Sequence, residues 1–171
     1  MQIVLVGYMG SGKTTVGKLL AHDISLQFLD LDTYIANTLE ATVPEIFDTK
    51  GEIFFRKKEH EYLNHLLDEV TNFVLSTGGG TPCYGNNMDT MLANTPYVFY
   101  LKVSITELVK RLSNQKEHRP LIRDIADEDL PEFFGKHLFE RGPFYNRAAH
   151  TISCDGKKPL EIVQEIKTHL L

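Results

Sequence analysis

Lys13 and Thr14 close the run Gly7-Tyr8-Met9-Gly10-Ser11-Gly12-Lys13-Thr14, which fills the pattern GxxxxGK[ST]. This combination of residue types suits a bound phosphate chain. Glycines let the backbone take conformations that a side chain forbids, so that successive N–H groups turn inward on an anion. A helix starting at the same point aims its N-terminal amides and the positive end of its dipole at that anion. Lys13 then lies between the β- and γ-phosphates, and the Thr14 hydroxyl holds Mg²⁺. The pattern predicts a nucleoside triphosphate site at residues 7–14.

Other residues supply what a phosphate acceptor would need. Asp30 and Asp32 end the apolar run Phe28-Leu29, and two residues apart on an extended chain they point to the same side. If that strand lies beside the first, as short βαβ units usually arrange, both acids face the phosphate loop; the other reading makes Asp32 only the N-cap of a helix starting near Thr33. Arg56 stands next to Phe54 and Phe55, and Arg141 is followed closely by Phe144 and Tyr145. Aromatic neighbours partly enclose a guanidinium, whose fork matches a planar carboxylate. Gly78-Gly79-Gly80 costs chain entropy and makes sense where a ligand touches backbone, where the chain turns tightly, or both. The aperiodic segment 114–129 carries Lys116, His118, Arg119 and Arg123. It reads as a mobile cationic lid, of the kind that phosphoryl transfer uses to neutralise charge and exclude water.

Positioning these groups requires a sheet with its strand ends along one edge. Strands are predicted at Gln2–Val6, 27–29, Phe73–Ser76, 97–101 and 151–153, with helical patterns between them. Their unbroken apolar runs fit strands covered on both faces, and hence a three-layer α/β domain with five parallel strands. Helices are expected from the phosphate loop to about His22, over 44–49, over 52–70 and over 160–171. On the 52–70 helix, Leu63, Leu66, Leu67 and Val70 share an inward face, while Lys57, Lys58, Glu59 and Glu61 suit a wet one.

Composition narrows the function classes. The 171 residues fit one domain with an ordinary core, and a net charge of -5 offers no basic field for nucleic acid. The N-terminal apolar run lacks a charged leader and is too short to span a membrane, so the expected location is cytoplasmic. Cys83 and Cys154 have no C-x-x-C spacing and suggest neither a disulfide scaffold nor a zinc ribbon. His60-Glu61 begins like HExxH, but Asn64 stands where the second histidine is required, which excludes that zinc motif. Asn114-Gln115-Lys116-Glu117 does not supply the guanine-reading NKxD of a GTPase, and Thr15 occupies the third glycine position of GxGxxG.

Taken in order, Gly7 to Thr14, Asp30-Leu31-Asp32, Phe47, Gly51-Glu52, Phe55-Arg56, Gly78-Gly79-Gly80, Arg119-Pro120-Leu121, Arg141 and Tyr145 resemble the shikimate kinases along the whole chain. The resemblance implies a P-loop NTPase fold like that of the nucleoside monophosphate kinases, with strand order 2-3-1-4-5, a substrate-binding subdomain at about 33–63 and a lid at 114–129. It implies ATP on Gly10, Ser11, Gly12, Lys13, Thr14 and Thr15, with Arg119 closing from the lid, Arg111 stacking near adenine and Pro159 bordering the base. Thr14 would ligate Mg²⁺ with Asp30 in the metal's outer shell. Asp32 would contact the ring hydroxyls of shikimate and orient or deprotonate the attacking 3-hydroxyl, Arg56 and Arg141 would clamp the carboxylate, and Gly79 and Gly80 would present backbone. The implied reaction yields shikimate 3-phosphate and ADP, in aromatic amino acid biosynthesis, on a monomer with no nucleic acid or membrane partner. Thr81-Pro82-Cys83 and the segment 155–159 depart from the family pattern, and Lys157 is not among the expected site residues. A gluconate or nucleoside monophosphate kinase, or a nucleotide-dependent switch without catalysis, would share the loop.

Overall fold

The structure, a computed structural model, describes residues 1–170. Its order is β1 (Gln2–Val6), α1 (Lys13–Asp23), β2 (Gln27–Asp30), α2 (Leu31–Leu39), α3 (Val43–Lys50), α4 (Glu52–Glu69), β3 (Phe73–Ser76), α5 (Asn87–Asn94), β4 (Val98–Lys102), α6 (Ile105–Leu112), α7 (Leu130–Tyr145), β5 (His150–Ser153) and α8 (Pro159–Lys167). All five strands are parallel, in the order β2-β3-β1-β4-β5. Helices sandwich the sheet: Ile3 to Val6 on β1, Phe73 to Leu75 on β3 and Val98 to Leu101 on β4 are almost wholly inaccessible, as their apolar runs require.

This is the order 2-3-1-4-5 that the family resemblance implies, so the condition under which β2 lies directly beside β1 is not met: β3 lies between them, pairing Val4 with Leu75 and Leu75 with Leu29. The burial pattern gives the reason. Every side chain of β3 is buried, whereas β2 begins with exposed Gln27 and ends in a carboxylate, which suits the half-solvated edge. Asp30 and Asp32 likewise do not share a strand face. The strand stops at Asp30, whose Oδ1 accepts from the Thr33 N–H at 3.0 Å and caps α2, so Asp30 is the cap and Asp32 lies in the first helical turn.

Downstream, α2, α3 and α4 pack on one another and form a small helical unit beside the sheet edge. Thr42 and Glu45 make a capping box at the start of α3, and Gly51, with φ 86°, separates α3 from α4. The inward face of α4 carries Leu63, Leu66 and Leu67 as expected, but Glu59 is also fully buried, which corrects its reading as a wet residue. The segment 114–129 has more structure than an aperiodic loop: it holds 3-10 turns at Ser113–His118 and Asp127–Asp129, buries Ile122, and joins Lys116 to Asp127 at 3.0 Å. Of the expected 160–171 helix, α8 ends at Lys167 and Leu171 lies outside the described residues. Among the described residues no helix is long and apolar enough to cross a membrane, and Cys83 and Cys154 are free thiols.

Leu75 sits on an interior strand of the sheet with both neighbours in register and no exposed surface. Leu75→Ala should lower the unfolding free energy by about 2–5 kcal/mol, the usual cost of a buried leucine truncation with its cavity. Urea denaturation checks this, and a loss below about 1 kcal/mol would contradict the placement of Leu75 in the core.

Candidate active site

The loop between β1 and α1 curls as its glycines permit: Gly10 and Gly12 take φ of 77° and 91°, and Gly12 starts α1. Lys13, buried, folds back to donate to the carbonyls of Gly7 at 2.7 Å and Tyr8 at 3.0 Å. Burial lowers the Lys13 ammonium to about 8, against the pull of Asp32 and Asp30. The Thr14 hydroxyl donates to Asp30 Oδ2 at 3.2 Å, which brings an uncharged and an anionic oxygen donor together at the mouth of the loop. Both are hard oxygen ligands of the type that suits Mg²⁺ with its waters and phosphate oxygens.

This loop forms one wall of a cleft of about 630 Å³. Asp30, Asp32 and the end of β3 through Gly79 supply a second wall, and Arg111, Gln115, Arg119, Lys157 and Pro159 a third. Residues 10–15 all line it. Arg111 is held by Glu107 at 2.9 Å and donates to the Gly10 carbonyl at 3.2 Å, while Arg119 rests on Gln115 at 3.3 Å. Lys157, absent from the sequence-based set, belongs to the cleft wall and is ion-paired with Glu165. No spacing rule singled it out, because the chain from 155 to 159 has no periodic pattern.

Beyond this cleft the glycine triplet explains itself by crowding. A Cβ on Gly78 would stand 3.1 Å from Asp32 Oδ1, one on Gly79 3.3 Å from an Arg141 nitrogen, and one on Gly80 2.6 Å from an Arg56 nitrogen. Three successive residues without side chains thus admit three charged side chains, from α2, α7 and α4. None of the three glycines needs a left-handed backbone, so space is the reason for them. Arg56 and Arg141 flank the turn rather than line the phosphate cleft, and Asp32 belongs to both regions.

The charges in this cluster act on one another. Burial raises the Asp32 carboxyl to about 6, helped by the neighbouring charges of Asp30 and Glu59 and opposed by Lys13 and Arg56. Glu59 accepts from Arg56 Nη1 at 2.8 Å and from the Thr81 hydroxyl at 2.7 Å. Asn87 then donates to the Thr81 carbonyl at 2.9 Å and meets His60 Nδ1 at 2.7 Å, so His60 is engaged with amides. Among the described residues no group of three His, Cys, Asp or Glu side chains could hold a metal. On α7, His137, Arg141 and Tyr145 recur one turn apart. The Tyr8 hydroxyl meets His137 Nδ1 at 2.7 Å, Arg141 lies 5.8 Å from the Tyr8 ring, and the Tyr145 hydroxyl donates to the Gly79 carbonyl at 2.5 Å. One helix face therefore ties the phosphate loop to the glycine turn.

Sequence reading missed Glu59 and His137. Both were marked by spacing: Phe55, Glu59 and Leu63 recur at four-residue intervals on the buried stripe of α4, as His137, Arg141 and Tyr145 do on α7. Glu59→Ala would leave Arg56, whose side chain is 17% exposed, without the carboxylate that pairs with its Nη1, and Thr81 without its acceptor. The expected loss is about 3 kcal/mol of unfolding free energy, measured by chemical denaturation. An unchanged stability would mean that the carboxylate carries no structural burden.

Comparison with known proteins agrees with this fold. The family model described as shikimate kinase matches residues 9–171. Shikimate kinase from Flavobacterium psychrophilum is 48% identical over 165 residues, covering 96% of each chain. Among solved structures, shikimate kinase from Bacteroides thetaiotaomicron superposes with a TM-score of 0.92 at 36% identity, covering 99% of this chain and 98% of that one. That from Acinetobacter baumannii, solved in complex with shikimate, gives 0.87 at 33% identity over 99% and 92%. A sheet of order 2-3-1-4-5, a phosphate loop and near-full-length kinship lead to one assignment: this chain belongs to the shikimate kinase family.

Proposed function

We propose that this chain transfers the γ-phosphoryl group of ATP to the 3-hydroxyl of shikimate, releasing ADP and shikimate 3-phosphate. The observation that carries the reading is the convergence of Asp32, Arg141 and Arg56 on Gly78, Gly79 and Gly80 beside the Lys13 loop. Such a set recognises an acceptor with a carboxylate at one end and hydroxyls at the other.

In this reading Arg56 and Arg141 hold the carboxylate by charge-assisted hydrogen bonds, while the backbone of Gly79 and Gly80 borders the ring. Asp32 accepts a hydrogen bond from the 3-hydroxyl and takes its proton as the hydroxyl oxygen bonds to the γ-phosphorus. The bond from that phosphorus to the bridging oxygen breaks in the same displacement, and ADP leaves. Residues 10–15 cradle the phosphates, Lys13 and Arg119 balance their charge, and Arg111, Lys157 and Pro159 bound the nucleoside. Thr14 and Asp30 would hold Mg²⁺, which would supply neutralisation of the phosphate charge. The helical unit at about 33–63 acts as the substrate subdomain and 114–129 as the lid of a single domain. We further assign the reaction to a monomer in the cytoplasm. Positioning and preorganised charge account for the catalysis, since phosphoryl transfer asks little covalent work of a protein.

Release of ADP, coupled to a dehydrogenase and followed with shikimate, gluconate and AMP offered separately, tests the reading. Turnover with shikimate alone is expected; turnover with gluconate or AMP and none with shikimate would overturn it. The site also predicts a bell-shaped pH dependence. Asp32 must be ionised to accept a proton and Lys13 must be protonated to pair with phosphate. On these grounds kcat/KM for shikimate should fall below about 6 and kcat/KM for ATP above about 8. Each limb should approach about one log unit per pH unit. A profile flat from pH 5 to 9 would remove both groups from these roles.

A further inference from the structure

Arg56 and Arg141 are held in different ways. The Tyr84 ring lies 4.0 Å from Arg56 Cζ, closer than the 5.3 Å of the adjacent Phe55 ring and the 5.8 Å between Arg141 and Tyr8. Tyr84 is fixed at both ends. Its hydroxyl donates to Glu52 Oε1 at 2.9 Å in the first turn of α4, and its carbonyl accepts from the Asn87 N–H at 3.2 Å where the chain leaves the glycine turn. The same Glu52 oxygen stands 3.8 Å from Arg56 Nε, which is buried and makes no hydrogen bond. Glu59 grips Nη1 from the other edge at 2.8 Å. The guanidinium plane is therefore set by an aromatic face, with Nη2 the nitrogen that a Cβ on Gly80 would strike at 2.6 Å.

We propose that Tyr84 is a positioning residue for the acidic acceptor, holding the Arg56 guanidinium in the plane in which it receives a carboxylate. A free arginine side chain samples many rotamers, and fixing one before the ligand arrives removes that cost from binding. The ring also keeps water from one face of the cation, which strengthens the charge-assisted bonds made at its edge. Tyr84 is 37% exposed, so its outer face is not part of the core and its substitution leaves the packing of the sheet intact. The inference rests on the reading that Arg56 binds the substrate carboxylate.

The test has two independent parts. In the ligand-free protein, ring-current shielding by Tyr84 should move the Arg56 Hε resonance upfield. Tyr84→Phe should keep that position and Tyr84→Leu should lose it, and a resonance unmoved by Tyr84→Leu would overturn the stack itself. In steady-state assays Tyr84→Leu should raise KM for shikimate about tenfold, with Tyr84→Phe close to the parent and KM for ATP unaffected. In an Arg56→Ala background the same leucine substitution should change KM by less than about twofold, because its effect passes through Arg56. A tenfold rise that persists without Arg56, or an equal rise in KM for ATP, would overturn the proposal. If Arg56→Ala raises KM for shikimate and Tyr84→Leu does not, the inference fails alone. If Arg56→Ala leaves that KM unchanged, the role given to Arg56 fails, and this proposal with it.

Discussion

Space at one turn is the constraint on which the rest of this structure depends. Gly78, Gly79 and Gly80 follow β3, an interior strand of the sheet, and a Cβ on each would crowd in turn Asp32 beside Thr81, Arg141 beside the phosphate-loop backbone, and Arg56. Those three side chains come from helices far apart in sequence. They meet only because β3 is inserted between β1 and β2, which brings the end of β2, the glycine turn and the phosphate loop to adjacent places on one sheet edge. Parallel strands with right-handed crossovers put all such ends on the same side.

Electrostatic balance within the cluster follows from the same crowding. Asp30, Asp32 and Glu59 face Lys13, Arg56 and Arg141, mostly away from water. Burial displaces two of them in opposite directions, the Asp32 carboxyl raised to about 6 and the Lys13 ammonium lowered to about 8. Both shifts disfavour the charged form, since burial outweighs the attraction between the partners. A site of this kind is poised to receive charge from a ligand, and groups whose protonation is brought close to neutral pH suit proton transfer. Glu59 has a different part: fully buried and held by Thr81 and Arg56, it anchors a cation at the edge of the site.

Much of this was legible in the chain itself. Continuous apolar runs in β1, β3 and β4 marked a parallel sheet, and the loop at residues 7–14 was unmistakable because each of its residue types has a separate chemical reason. Neighbour relations were less legible. The resemblance supplies the order 2-3-1-4-5, whereas the residues alone leave β2 beside β1 as an open condition, which the relative burial of the strands decides against. Asp30 and Asp32 share a strand face only if β2 runs on to Asp32, but it ends two residues earlier, since capping by Asp30 starts α2 at Leu31. Glu59 reads as surface because it sits among Lys57, Lys58 and Glu61, and only its four-residue spacing from Phe55 and Leu63 betrays the buried stripe. The stacking of Tyr84 on Arg56 had no local signal, as it joins residues 28 positions apart through the fold of the glycine turn.

The central proposal is that carboxylate recognition by Arg56 and Arg141 and proton acceptance by Asp32 occur side by side at the glycine turn next to the phosphate loop, with opposite ends of a single small acid engaged at once. A crystal structure of this chain with ADP and shikimate bound tests it most directly. The account predicts the shikimate carboxylate on both Arg56 and Arg141 and the 3-hydroxyl within about 3 Å of an Asp32 oxygen. A carboxylate bound instead to Arg119 or Lys157, with the ring hydroxyls turned away from Asp32, would contradict it.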